Sequence, residues 1–148
     1  DVGVCLYAPN VSGGEAQNLN PSRWWRSLEP LSMTSVIESA DIAITNGGLN
    51  SVSAFLLAGT PQLVVPNNME RAMVGRRLEL LGAGLSLNVG DDQRCCEKLR
   101  AVCLDRSISR NAERFARAHP GESAAQQLKG VLCDISALLG NQAMGTRR

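Results

Sequence analysis

At 148 residues, with 44% hydrophobic and 20% charged side chains, the chain has the material for one ordinary globular core and little for a second. A net charge of +1 argues against global attraction to nucleic acid or an acidic membrane, so an anion site would have to be local. No run approaches the roughly 18 apolar residues of a membrane span, and no signal-peptide pattern opens the sequence.

In chain order, "VGVCLYAP" (Val2 to Pro9) is an apolar run bounded by proline and predicts a buried strand. The polar, Gly- and Asn-rich stretch Asn10 to Ser22 reads as a loop. "RWWRSL" (Arg23 to Leu28) is a short strand stopped by Glu29-Pro30, with Trp24 and Trp25 expected to anchor it, one towards the core and one at an interface. Leu31 to Ala40 suits a short helix, and "DIAIT" (Asp41 to Thr45) a buried strand. "GLNSVSAFLLAG" predicts a helix ended by Gly59, "PQLVVP" a strand, and Met69 to Gly82 a helix again closed by glycine. "AGLSLN" (Ala83 to Asn88) is a last strand, and Asp91 or Asp92 is placed to cap a helix through Val102. Two further helices flank Pro120-Gly121, and the end of the chain reads as a disordered tail, residues 141–148. The opening at Asp1, directly before a strand-like run, leads to the expectation that the chain is part of a longer one.

Strands alternating with helices at this spacing imply βαβ units: an α/β fold with a Rossmann-like parallel sheet and helices on both faces. The continuous apolar runs "LVV" and "IAI" are those of strands buried on both faces. The five cysteines are odd in number and form no C-x-x-C, and His119 is the only histidine. Metal is therefore not expected, and a reducing cytoplasm is the simplest compartment. Three of the cysteines fall in helical patterns where a small hydrophobe serves.

Ligands of such sheets bind beyond the carboxyl ends of the strands, which singles out the loops Leu28 to Leu31, Thr45 to Ser51 and Pro66 to Arg71. In the middle loop, Gly47 and Gly48 would let the backbone approach a ligand with no Cβ in the way. Asn50 and Ser51 fall at a helix start, where free N–H groups and the dipole favour an anion such as a diphosphate. The loop is neither a Walker loop nor G-x-G-x-x-G. The local pattern alone fits a plain strand-to-helix turn equally well.

The stretch from Glu29 to Asn88 resembles the donor half of GT-B glycosyltransferases, in particular the family that includes plant and antibiotic-pathway sugar transferases. The landmarks are Pro30, the run Asn46-Gly47-Gly48-Leu49-Asn50-Ser51, Gly59-Thr60-Pro61, Pro66 followed by Glu70-Arg71, and Gly82-Ala83-Gly84. The match is close from Leu28 to Asn88 and looser towards the C-terminal helix. The resemblance implies a nucleotide-sugar donor-binding domain over residues 1–140, incomplete at its N-terminal end. It implies a diphosphate held by Asn46, Gly47, Gly48, Asn50 and Ser51, with Asn46 where relatives carry histidine. Asparagine can donate a hydrogen bond but cannot carry positive charge, which weakens an anion contact about twofold.

By the same resemblance, Leu28, Pro30, Leu31 and Ala54 would meet base and ribose. Ala54 replaces a ribose-binding glutamate common among users of UDP-sugars, which tilts the donor towards a dTDP-sugar. Glu70 and Arg71 replace an Asp-Gln pair that contacts the sugar. The mixed face of Arg71, Arg76 and Arg77 is most simply solvated, and His119 a surface or capping residue. The expected activity is that of an inverting, metal-independent hexosyltransferase moving sugar from a dTDP- or UDP-sugar to an acceptor hydroxyl. No catalytic residue is expected in this chain, since the base belongs to an N-terminal acceptor-binding domain or subunit, without which the chain would be inactive. No cofactor is expected beyond the nucleotide-sugar substrate. The alternatives are a degenerate nucleotide-binding or scaffolding module of the same fold, and an unrelated phosphate-binding α/β protein.

Overall fold

The computed structural model describes residues 3–7, 24–27, 29–88 and 94–120. The helix anticipated after Pro120, the tail, and the caps assigned to Asp91 or Asp92 lie outside them. The chain divides into two compact units, Asp1–Ala40 and Asp41–Arg148. In the first, strand β1 (Val4–Tyr7) pairs in parallel with β2 (Trp24–Ser27), and helix α1 (Met33–Ser39) follows. Trp24 and Trp25 are described by their backbone only, paired with Val4 and Cys5. The first strand is less buried than its sequence suggests, with Val4 half-buried and Cys5 exposed.

The second unit runs β3 (Ala43–Thr45), α2 (Leu49–Leu57), β4 (Gln62–Val64), α3 (Met69–Leu80), β5 (Gly84–Ser86), α4 (Cys95–Leu104) and α5 (Arg106–Ala118). The strands form a parallel sheet in the order β3-β4-β5. Its central strand has both faces covered. Val64 points into a core with Val52 and Leu56 of α2, Leu78 of α3 and Ala112 of α5. Leu63 points the other way, to Val102 of α4, Ile108 of α5 and Leu87. Helices therefore lie on both faces, and Leu63 and Val64 are completely buried. Each such side chain contributes roughly 1.5–3 kcal/mol by leaving water.

β3 departs from the expected fully buried strand. Ala43 is buried but Ile44 is 56% exposed. Ile44 lies beside Leu63 in the ladder, on the face that α4 covers only at β4 and β5. The cysteines also differ from expectation. Cys95 packs in the second core, but Cys96 and Cys103 are exposed.

Both crossover helices end as the glycines predict. Gly59 N–H bonds to Leu56 O and Thr60 N–H to Phe55 O, and Gly82 and Ala83 repeat the pattern onto Glu79 and Leu78. Gly75 sets the distance between α3 and the sheet, because a Cβ there would collide with the Ser86 side chain. The outer edge of β5 is closed by side chains. Ser86 N–H donates to Glu79 Oε1 at 2.9 Å, and Lys98 Nζ donates to Ser86 O, so the edge offers little to a further strand. Burial, the largest influence on the Glu79 carboxyl, raises its pKa. The Ser86 N–H, Arg76 and Lys98 together outweigh it and hold the group below its ordinary value.

Candidate functional site

Parallel strands put their carboxyl ends on one edge, so the turns after β3 and β4 emerge together. The β3–α2 turn is Asn46-Gly47-Gly48. Gly47 has φ of 85°, which L side chains rarely adopt. A Cβ there would lie 2.8 Å from Arg71 O, 2.9 Å from Arg71 Cβ and 3.0 Å from Val64 Cγ1. This glycine is required by the protein's own packing: the first turn of α3 rests on it. Gly48 differs. Its φ is −62°, and a Cβ there would meet only Asn46 Oδ1, at 3.4 Å. It is Gly48 that turns a bare backbone outward.

Asn46 is exposed, and its Oδ1 accepts the Gly48 N–H at 3.1 Å. That bond fixes the amide and leaves Nδ2 as the end able to donate outward. The first α2 backbone bond runs from Val52 N–H to Gly48 O, and no side chain caps the helix. The N–H groups of Leu49, Asn50 and Ser51 therefore have no acceptor among the described residues. Asn50 is exposed, and Ser51, half-buried, is the third residue of the helix. Ala54 lies one turn further along, also half-buried. α1 and α4 likewise lack side-chain caps. What distinguishes α2 from them is the glycine at its N-cap, Gly48, in place of Ser32 and Arg94.

The β4–α3 turn is built the other way. Asn68 caps α3, its Oδ1 accepting the Arg71 N–H at 3.0 Å. Asn67 Oδ1 accepts from Arg71 Nη1 at 3.1 Å. Glu70 is exposed beside it, and Arg71 is half-buried against Gly47. Neither asparagine is among the site residues expected from sequence, although Asn68 directly before Met69 is an ordinary N-cap signal.

The structure thus brings Asn46, Gly47, Gly48, Asn50, Ser51, Ala54, Glu70 and Arg71 into the second unit, on or near one sheet edge. Pro30, exposed, and Leu31, half-buried, belong to the first unit, and Leu28 lies outside the described residues. His119 caps α5, with Nδ1 bonded to Phe115 O and its ring stacked on Phe115 at 4.2 Å. Among the described residues no three His, Cys, Asp or Glu side chains are grouped to hold a metal ion.

Residues 13–132 match the model of the erythromycin biosynthesis protein CIII-like C-terminal domain. The chain belongs to that family. Its fold is that of the C-terminal half of a GT-B glycosyltransferase, and it is a donor-binding-type domain. Among curated proteins, it is 38% identical over 52 residues to the NDP-glycosyltransferase YjiC of Bacillus subtilis (strain 168), 35% of this chain and 13% of that protein. Among solved structures, the glycosyltransferase VinC in complex with dTDP superposes with a TM-score of 0.70 at 21% identity, over 85% of this chain and 33% of VinC. The spinosyn forosaminyltransferase SpnP superposes with a TM-score of 0.67 at 23% identity, over 79% of this chain and 30% of SpnP. This member of the CIII-like family therefore spans about a third of the solved relatives' length, and no helix among its described residues is long and apolar enough to cross a membrane.

Proposed function

We propose that this chain binds the nucleoside diphosphate of a sugar donor at the β3–α2 turn, as part of an inverting glycosyltransferase that uses dTDP- or UDP-sugars. The observation that carries the reading is the row of unaccepted N–H groups at Leu49, Asn50 and Ser51, opening beside Gly48 at the carboxyl edge of the sheet. The VinC complex with dTDP, on the same fold, and the small Ala54 on α2 favour a thymidine donor.

In the reaction, a base from an acceptor-binding domain outside this chain takes the proton of an acceptor hydroxyl. Its oxygen attacks the anomeric carbon, a new glycosidic bond forms, and the bond to the diphosphate breaks. The α2 amides, the Ser51 hydroxyl and Asn46 Nδ2 receive the negative charge that grows on the leaving group. Glu70 accepts hydrogen bonds from sugar hydroxyls. No metal is required, and the chain alone does not turn over.

Calorimetric titration with dTDP, UDP and GDP tests this. The expected result is weak binding, dTDP at least as tight as UDP, and several-fold loss in Ser51→Ala. The absence of any diphosphate binding, with the upstream sequence also present, would overturn it. That result would instead favour a scaffolding module, a reading to which the Asn46 side chain, folded back onto its own turn, lends some weight.

A further inference from the structure

We propose that Arg71 supplies the positive charge for the donor diphosphate, a charge that Asn46 cannot carry. The inference rests on the donor reading above and concerns the same turn. Its starting point is a cation in an unfavourable place. Arg71 is the third residue of α3, where the positive end of the helix dipole repels it. Its side-chain partner is the neutral amide of Asn67, and no carboxylate among the described residues pairs with it, whereas Arg76 and Lys98 share Glu79 and Arg117 has Glu113. Among the arginines whose side chains are described, Arg71 alone is not exposed. A half-buried cation without a counter-charge breaks a local rule, and such violations concentrate where a protein works on something else.

The placement says what that something is. The stem of Arg71 rises against Gly47, with its Cβ 2.9 Å from where a Gly47 Cβ would stand. Arg71 is thus packed on the turn that leads directly into the open amides of Leu49, Asn50 and Ser51. Asn67 engages one of the five guanidinium N–H donors and leaves the others for an anion. An arginine fork matches paired phosphate oxygens, which a neutral side chain does not. With the cation on α3 and the amides on α2, a diphosphate bridging the two turns would be gripped from both helices.

The test titrates dTDP, and thymidine as the phosphate-free control, into wild type, Arg71→Gln, Arg71→Lys and Ser51→Ala, at low and high salt. Arg71→Gln keeps the backbone N–H on Asn68 and the Cβ against Gly47, so its melting temperature should match wild type. The expected result is roughly ten-fold weaker dTDP binding in Arg71→Gln, unchanged thymidine binding, a smaller loss in Arg71→Lys, which keeps the charge but not the fork, and a smaller salt dependence in the Gln variant. Unchanged dTDP binding in Arg71→Gln, with loss in Ser51→Ala, would overturn this inference and leave the donor reading standing. Equal loss in the Lys and Gln variants would show a role of shape rather than charge and would also overturn it. If wild type binds no diphosphate, the donor reading falls and takes this inference with it.

Discussion

The turns after β3 and β4 lie on the same edge of one sheet and finish differently. After β4, the chain's own side chains take the exposed backbone groups: Asn68 accepts from Arg71, and Asn67 holds the guanidinium. The edge of β5 is treated the same way by Glu79 and Lys98. After β3, the one polar side chain in the turn, Asn46, bonds to Gly48 rather than to the helix, and three amides are left open. Of these three places, the β3–α2 turn is the one whose backbone N–H groups find no acceptor among the described residues.

The comparison is sharpest at the glycines. Gly47→Ala must enter a positive-φ conformation, costing about 1–2 kcal/mol, and must also push its Cβ into Arg71. The expected total is about 3 kcal/mol of lost stability by denaturant melt. Gly48→Ala, with ordinary φ and open space, should lose no more than about 0.5 kcal/mol. Equal losses would mean that the two glycines do not divide packing from access. Next in size is Asn68→Ala, which removes a formed cap and should cost about 1 kcal/mol. Ser51→Ala, at the open turn, should change stability by less than about 0.5 kcal/mol while weakening diphosphate binding, the reverse of Asn68→Ala.

Two smaller effects probe the frame that carries these turns. Gln62 is fully buried, donates to Val52 O at 2.9 Å, and leaves its Oε1 without a partner. Gln62→Met removes that orphan and should leave stability unchanged or raise it by up to about 1 kcal/mol; a larger loss would show that the Val52 bond holds α2 in place. At the β5 edge, the carboxyl pKa of Glu79 is lowered by folding. Its stabilisation is therefore present above the ordinary carboxylate pKa and is lost as pH falls through the folded-state value. Melting temperatures measured across that acid range should fall less steeply in Glu79→Gln than in wild type.

Much of the architecture was legible because its signals are local. Gly59 and Gly82 stop their helices as expected, and "QLVV" is the buried central strand its composition suggests. "IAI" misled because burial depends on which neighbours cover a strand, and α4 does not extend over β3. The position of the turn was visible in Asn46-Gly47-Gly48. The division of labour within it was not, since only the fold reveals that Arg71, 24 residues beyond Gly47 in the sequence, presses on one glycine and not the other. The edge cap formed by Glu79, Ser86 and Lys98 was equally silent, because it joins two helices to a strand across a long separation.

The most direct measurement is an amide-resolved NMR titration of the chain with dTDP. If the diphosphate sits on the β3–α2 turn, the N–H groups of Leu49, Asn50 and Ser51 should show large shifts. No shift at those three amides, with shifts elsewhere in the chain, would contradict it.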